Sequence, residues 1–307
     1  LALVGDEQRR ITLVGAVDLV LGQVAREIDI ALLQLQALRG GLGHVAHDDA
    51  AVLGRAAEPW LLDCDPSAPD FSAPNSSLGA DVSARRFEER LSLLDQLDRT
   101  HEKRELSADY KQARQRAVEL IAGDQARKAF DLSQEPVQVR DRYGRTKHGQ
   151  CVLLARRLLE AGVSLVQVNW IAEDKKLPNG GSWDTHEKHN ESLKGWLMPS
   201  IDQTYSALIE DLDQRGMLDE TLVCWVTEFG HTPKFNAKAG RDHWGQVFSI
   251  ALAGGGIRGG VVHGKSDKQA AEPLGDVVRP CDYLATVFHC LGFAPDTVLH
   301  DVQNRPF

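Results

Sequence analysis

Residues 163–170 read VSLVQVNW and residues 221–227 read TLVCWVT, and these two stretches decide the fold class. Both are rich in the β-branched residues that favour strands. The second is apolar at almost every position, which is typical of a strand covered on both faces of a sheet. Each follows a helical pattern that stops at a glycine, Gly162 or Gly216. This alternation of helix and strand predicts an α/β protein with a largely parallel sheet.

Other elements follow from the spacing of apolar residues along the chain. The helical period predicts further elements at 84–122 (two amphipathic helices), 126–132, 148–161, 190–214 and 282–291, and a further strand is expected at 247–253. Pro199 lies inside the long helix, and we expect it to kink or divide that helix because proline removes a backbone donor.

The first part of the chain differs in composition from the rest. Residues 1–59 contain no Phe, Trp, Tyr, Lys, Ser or Asn, and the first aromatic residue is Trp60. We therefore divide the chain into an unassigned N-terminal segment, 1–52, and one domain, 53–307. Because the segment lacks aromatic residues for a core, we expect its deletion to leave the midpoint of unfolding nearly unchanged.

Charge and cysteine content exclude several classes of protein. The formal net charge of the 307-residue chain is -9, which argues against a nucleic acid as the main partner. No window approaches 18 consecutive uncharged apolar residues, so we expect no membrane span. The five cysteines are scattered and never spaced as CxxC, which argues against a disulfide framework and against a zinc cluster held by cysteines.

Three polar clusters follow the predicted strands. They are GGSWDTH at 180–186, EFGHTP at 228–233 and GRDHW at 240–244. In open α/β sheets, ligands bind beyond the carboxyl ends of the strands, so we expect these clusters to lie together and to form the functional site.

The clusters contain the ligand types of a divalent metal. Asp184 and His186 are two residues apart, so in an extended loop their side chains point to one side. Glu228 and His243 could complete a shell of three or four ligands. A metal there would polarise an ester oxygen and lower the pKa of a bound water to about 7. Two alternatives stay open: Asp184 as a helix N-cap, and His243 as a core histidine with satisfied hydrogen bonds.

The glycine-rich run at 254–259, GGGIRG, matches the GxGxxG pattern of dinucleotide sites. A dinucleotide site needs a helix immediately after the glycines. Residues 260–264 read GVVHG, which is typical of a short strand instead. We therefore interpret the glycines as a tight turn.

Several of these motifs together resemble a known family. SWDTHEKHN at 182–190, EFGHTP, GRDHW and LAGGGIRGG at 252–260 are similar to the bacterial domain-of-unknown-function 1501 family, which is placed in the alkaline-phosphatase and sulfatase superfamily. DPSAPDF at 65–71 and RDRYGR at 140–145 fit the same family. The resemblance covers about residues 53–307.

The resemblance implies a three-layer α/β/α sandwich of the alkaline-phosphatase type that hydrolyses sulfate or phosphate esters at metal ions. It implies Asp184 and His186 as metal ligands, with Glu228 in place of the superfamily's aspartate and His243, together with Asp242, as the last ligands. Zinc, calcium or manganese would be the cofactor and a small-molecule anionic ester the substrate. Phe229 replaces a histidine of the superfamily, which puts a second metal site in doubt. His231 replaces the arginine of the family's usual EFGRTP.

The superfamily's N-terminal features are not recognisable. Its first metal-binding aspartate and its nucleophile follow the first strand, and neither Asp6 nor Thr12 stands in a matching context. We therefore expect a sheet without its N-terminal strand, and a chain that binds a divalent metal but hydrolyses aryl phosphate and aryl sulfate esters feebly or not at all. Thr185 and Thr232 are the first alternative nucleophiles to test.

The resemblance also implies twin-arginine export to the periplasm or cell surface, although no signal is visible. The alternative function is a non-catalytic binding or structural protein on the same fold.

Overall fold

The computed structural model describes residues 10–15, 32–36, 60–73, 82–100, 124–170, 174, 176–227, 229–294, 296–298 and 305–306. Within these residues the chain has a mixed α/β fold, which confirms the predicted class. Its strands are β1 (Arg10–Gly15), β2 (Leu32–Gln36), β3 (Trp60–Asp63), β4 (Leu165–Val168), β5 (Thr221–Val226), β6 (Gly230–His231), β7 (His243–Trp244) and β8 (Ala251–Ala253). Its α-helices are α1 (Ala84–Thr100), α2 (Asp124–Phe130), α3 (Val137–Tyr143), α4 (Lys147–Glu160), α5 (His189–Ser192), α6 (Met198–Gln214) and α7 (Pro280–Cys290).

The main sheet is mixed rather than wholly parallel. Its strand order is β3-β2-β4-β1-β5-β8. The strands β1 to β5 pair with one another in parallel, whereas β8 pairs with β5 in the antiparallel sense. The short strands β6 and β7 form a separate antiparallel ribbon, which carries two histidines of the functional site.

The expectation that the sheet lacks an N-terminal strand is wrong. β1, RITLVG, lies between β4 and β5, where Ile11 pairs with Leu165 on one side and with Leu222 on the other. The Ile, Thr and Val of β1 are β-branched and suit a strand. The lack of a recognisable aspartate and nucleophile, from which the expectation came, does not bear on backbone pairing. The domain boundary at 52/53 stays a prediction, but β1 and β2 both pair with β4 across it.

The register brings the carboxyl ends of the parallel strands to one edge of the sheet. Gly15, the last residue of β1, pairs with Val226, the last of β5, and Leu35 of β2 pairs with Val168 at the end of β4. The loops after β4 and β5, which contain the polar clusters, therefore leave the sheet at the same edge.

Two buried apolar clusters hold helices against opposite faces of β4 and β5. Val166 and Val223 belong to the cluster that includes α4 and α6. Their chain neighbours Leu165 and Leu222 belong to the cluster that includes α7. Successive strand residues point to opposite faces, so burial on both faces explains why these strands are apolar at almost every position.

The long helix predicted at 190–214 is divided as Pro199 requires. A π-helical turn, Leu193–Leu197, separates α5 from α6. Pro199 then occupies the first turn of α6, directly after the π-helical turn.

A fully buried arginine connects three helices beneath this core. Arg156 of α4 is 0% exposed and forms an ion pair with Glu135 at 2.7 Å, one with Glu160 at 2.7 Å and one with Asp211 of α6 at 2.9 Å. Tyr143, at the end of α3, donates to the same Asp211 carboxylate at 2.9 Å. This cluster fixes α3, α4 and α6 relative to one another.

The glycine-rich run lies at the opposite edge from the polar clusters. A Cβ atom on Gly254, whose φ is 71°, would lie 2.3 Å from the Thr221 carbonyl oxygen at the start of β5. The glycines therefore allow a close turn against β5, as predicted. The strand expected over 260–264 does not form, because Val261 and Val262 are 56% and 94% exposed and bury no face. No helix in the described part of the chain is long and apolar enough to cross a membrane.

Candidate metal centre

Asp184, His186 and His243 bring three ligand atoms together at the edge of the sheet where β4 and β5 end. The Oδ1 atom of Asp184 lies 2.9 Å from Nε2 of His186 and 2.8 Å from Nε2 of His243. The two Nε2 atoms are 3.2 Å apart. All three side chains are about half exposed, at 51%, 44% and 51%. The prediction that Asp184 and His243 lie together is confirmed.

Asn236 and backbone hydrogen bonds hold the two ligand loops together. The Asn236 side-chain amide donates to the His186 carbonyl oxygen at 2.9 Å and to Oδ1 of Asp242 at 3.2 Å. The backbone N–H of Arg241 donates to the Thr185 carbonyl at 3.0 Å. The loop that follows β4 and the loop that precedes β7 thus form one unit.

Gly240 allows these loops to approach so closely. A Cβ atom at this position would lie 1.9 Å from the His186 carbonyl oxygen, a contact that no side chain tolerates. The glycine of GRDHW therefore sets the distance between the backbone that carries His186 and the backbone that carries His243.

Asp242 orients His186. Its Oδ1 atom lies 3.1 Å from Nδ1 of His186. The hydrogen bonds from His186 and from Asn236 hold the pKa of the Asp242 carboxyl below its usual range, so the carboxylate is ionised and can only accept. The Nδ1 atom of His186 can therefore donate to Asp242, which leaves the Nε2 atom, on the side of Asp184 and His243, as the atom that would bind a metal.

The donor set fits a divalent cation. Ligand atoms on a tetrahedral ion with bonds of about 2.1 Å are about 3.4 Å apart, and the three separations here are slightly shorter, at 2.8–3.2 Å. Two facing imidazole nitrogens with a shared carboxylate oxygen form a cluster that could hold a metal ion. The ring centroids of the two histidines, 4.8 Å apart, suit this arrangement as well.

The alternatives considered for Asp184 and His243 do not describe what is observed. The helix after Asp184 begins at His189, and its N-cap residue is Lys188, so Asp184 does not cap it. His243 is exposed rather than a core histidine. Glu228 lies outside the described residues, so its predicted role as a ligand stays a prediction. Phe229, beside it, packs on the His243 ring with centroids 4.4 Å apart.

Two further imidazoles, His189 and His231, lie near the three ligand side chains. Their ring centroids are 5.9 Å apart, and that of His231 is 6.4 Å from that of His243. The Nδ1 atom of His189 is 2.6 Å from the Thr185 hydroxyl. Burial, with the nearby charges of Arg241 and His231, lowers the pKa of His189 to about 4. Burial also lowers the pKa of His231, although Asp184 opposes this effect.

Neither candidate threonine is placed as a free nucleophile. Thr185 is 0% exposed and its hydroxyl is engaged with His189. The Thr232 hydroxyl donates to the Lys234 carbonyl at 2.9 Å and accepts from the Asp242 backbone N–H at 3.1 Å. Both hydroxyls therefore hold the loops in place.

Three cations near the polar clusters, Lys234, Arg241 and Lys265, could face the oxygens of an anionic substrate, and their surroundings differ. Lys234 and Lys265 are exposed. The Arg241 guanidinium lies 4.6 Å from the centroid of the Phe235 ring and donates to the Thr232 carbonyl at 3.2 Å. Arg241 is thus fixed beside the ligands rather than solvated on the surface.

His189 and Asn236 do not stand out from the sequence as residues of this centre. His189 lies three residues after His186 in SWDTHEKHN, a spacing that places it at the start of α5. Asn236 stands in a turn without a motif of its own, and it emerges as a connector only when two distant loops are seen together.

Comparison with known proteins identifies the family. The model of a family described as protein of unknown function (DUF1501) matches residues 41–307. No curated protein sequence and no solved structure matches the chain. Because the match spans most of the chain and includes both ligand loops, this protein belongs to the DUF1501 family.

Proposed function

We propose that this protein binds one divalent cation through Asp184, His186 and His243 and hydrolyses a small sulfate or phosphate ester there, slowly. The observation that carries the proposal is the convergence of three ligand atoms from two loops at the carboxyl edge of the sheet. When bound, such a cation supplies Lewis-acid polarisation of an ester oxygen and acidification of a water molecule.

The chain's own residues supply position and charge. Asp242 and Asn236 keep the His186 ring oriented. Arg241 offers a fixed guanidinium, and a planar cation suits the oxygens of a phosphate or sulfate group. Hydrolysis forms a bond between a water oxygen and phosphorus or sulfur, breaks the bond from that atom to the alcohol oxygen, and moves a proton from the water to the departing alcohol oxygen. The net charge of -9 would disfavour a large polyanionic substrate, which supports a small ester.

The superfamily assignment is part of this proposal. A three-layer α/β/α arrangement of the alkaline-phosphatase type is supported by helices on both faces of β4 and β5 and by ligands at the carboxyl ends of parallel strands. The family resemblance adds export to the periplasm or cell surface as a proposal.

Slow turnover is expected because a covalent nucleophile is not apparent among the described residues. Both candidate threonines are engaged in hydrogen bonds, and without covalent catalysis the reaction cannot be divided into two easier steps. We therefore expect turnover far below the typical enzyme value of about 10 per second.

The test compares the full chain with two matched variants. His186→Ala removes a ligand, and His263→Ala removes an exposed histidine outside the centre. Each protein is incubated with zinc and, separately, with manganese or calcium, then desalted. Elemental analysis then measures the bound metal, and the release of the aryl alcohol from aryl phosphate and aryl sulfate esters measures turnover.

We expect about one equivalent of metal and weak turnover in the wild type and in His263→Ala, and neither in His186→Ala. A wild type that retains no metal would overturn the proposal. Bound metal without turnover on any ester would favour the second candidate, a non-catalytic metal-binding protein. Turnover near 10 per second that is lost in His186→Ala would show that slow catalysis is wrong and that a nucleophile exists elsewhere.

A further inference from the structure

We infer that His231 is a fourth protein ligand of this centre and that three imidazoles therefore make it selective for zinc-like cations over calcium. The inference rests on the proposed metal site and goes beyond it, because it assigns a residue and a class of metal that the ligand atoms of Asp184, His186 and His243 alone leave open.

The β6–β7 ribbon places His231 beside a ligand. His231 pairs directly with His243 across the two antiparallel strands. Side chains of directly opposed residues lie on the same face of such a ribbon, with Cβ atoms about 4.5–5.5 Å apart. His231 therefore faces the same side as His243, toward the centre.

The His231 ring also has an unused nitrogen. Its Nε2 atom is buried and has no hydrogen-bond partner among the described residues. A buried polar atom without a partner costs about 1–3 kcal/mol, and a structure retains such an atom when something else satisfies it. A cation bound at the neighbouring ligands would do so.

The His231 ring lies close to the ring of the ligand His243. Two imidazoles on one tetrahedral ion, bound through bonds of about 2.1 Å, have ring centroids about 5 Å apart. The His186 and His243 rings are already 4.8 Å apart, and the His231 and His243 rings are 6.4 Å apart. For His231 and His243 to share one ion, the His231 ring must therefore move about 1 Å closer to the His243 ring.

The resulting ligand set has a clear chemical preference. Three imidazole nitrogens and one carboxylate oxygen form a four-coordinate shell that suits zinc and neighbouring transition metals. Calcium takes six to eight oxygen ligands, which this shell does not provide. His231 thus decides the class of cation.

The experiment uses the 307-residue chain and three variants of it, each with a single substitution. His231→Gln removes the ligand and keeps a polar side chain. His231→Cys replaces the ligand with a thiolate, which also binds zinc and cobalt. His189→Gln is the matched control, because His189 is the other half-buried imidazole of the cluster and its Nδ1 atom is engaged with Thr185. Circular dichroism establishes that each variant is folded.

Zinc affinity is measured by competition with a chromophoric chelator, and the cobalt form is examined by absorption spectroscopy. We expect His231→Gln to weaken zinc affinity at least about 10-fold, and His189→Gln to retain it. We expect cobalt-loaded His231→Cys to show a thiolate-to-cobalt charge-transfer band, which requires residue 231 to contact the metal. Calcium should not compete with zinc in the wild type.

The outcomes separate this inference from the proposed function. If the wild type binds about one zinc and His231→Gln binds it equally well, or the cysteine variant lacks the charge-transfer band, His231 is not a ligand and only this inference fails. If the wild type binds no metal at all, the proposed function fails first.

Discussion

Replacing Arg156 with methionine tests how the helices beneath the sheet are held. The substitution keeps a side chain of similar length and removes a charge that is fully buried. It leaves Glu135 and Asp211 in place, and their side chains are only 5% and 11% exposed. The variant therefore confines two carboxylates with less compensating charge than before.

The charges of the cluster are balanced in the native chain. Three arginines face three carboxylates: Arg156, Arg157 and Arg215 lie among Glu135, Glu160 and Asp211. Burial alone would lower the pKa of Arg156, but the hydrogen bond and charge of Glu135, together with the charge of Asp211, raise it above its ordinary value. The guanidinium is thus charged at every pH at which the protein folds.

The expected cost follows from this geometry. Removing one partner of a buried ion pair costs about 3–5 kcal/mol. Asp211 keeps the hydrogen bonds from Tyr143 and Arg215, and Glu135 keeps Arg157, so we expect the lower end of that range, about 3 kcal/mol. Chains of 150–250 residues shift by roughly 2–4 °C per kcal/mol, and the lower end applies to this longer chain, so the unfolding midpoint should fall by about 6 °C.

The dependence on pH provides a second readout. Burial opposes ionisation of Glu135, but Arg156 and Arg157 outweigh this effect and hold its pKa below the usual value. A lowered pKa in the folded state contributes stability above the unfolded pKa of about 4.3, and that stability is lost as the pH falls. Without Arg156, ionised Glu135 contributes less to the free energy of unfolding. The difference in the free energy of unfolding between wild type and variant should therefore be largest near pH 7 and should become smaller below about pH 4.3.

Calorimetry at pH 7 and pH 4 measures both effects. The matched control is Arg145→Ala, since Arg145 forms a pair with Asp141 that is 44% and 57% exposed and should contribute less than about 1 kcal/mol. The reasoning is refuted if Arg156→Met is no less stable than Arg145→Ala, or if its loss of stability does not narrow with acid.

Two further changes test the sheet and the centre. Deletion of residues 1–52 should abolish cooperative unfolding in calorimetry, because it removes β1 from between β4 and β5; an unchanged midpoint would instead support the expectation from composition. Asp242→Asn should weaken zinc affinity about 10–100-fold in chelator competition, since Nδ1 of His186 loses its ionised acceptor; unchanged affinity would mean that Asp242 does not orient the ring.

The strands that can be predicted from sequence are those whose faces are both buried. The run 221–227 is apolar almost throughout, and β5 forms within it as Thr221–Val226. The run 163–170 is longer than β4, Leu165–Val168, because Trp170 leaves the sheet and its indole N–H donates to the Gly181 carbonyl. β1 cannot be recognised from the sequence, because its neighbours in the sheet, β4 and β5, lie far away along the chain.

Residue types and strand ends predict which side chains meet at the candidate centre. They do not predict the contacts that hold the two loops together. Asp184, His186 and His243 have the chemistry of ligands, and the parallel-sheet argument places their loops at one edge. The contact between Gly240 and the His186 carbonyl is invisible in sequence, because it depends on how closely two loops approach. The same is true of Asn236, which has no role until both loops are folded.

The central position of β1 has a kinetic consequence. Ile11 pairs with Leu165 and Leu222, which lie about 150 and 210 residues later in the chain. At synthesis rates of about 5–20 residues per second, roughly 10–40 s pass between the synthesis of β1 and that of its second partner, β5. Such distant pairing also slows folding, since a large loop must close before the contact is gained. During that interval the backbone groups of RITLVG are unpaired and can pair with other chains. We therefore expect the nascent chain to need chaperones until β5 has been synthesised.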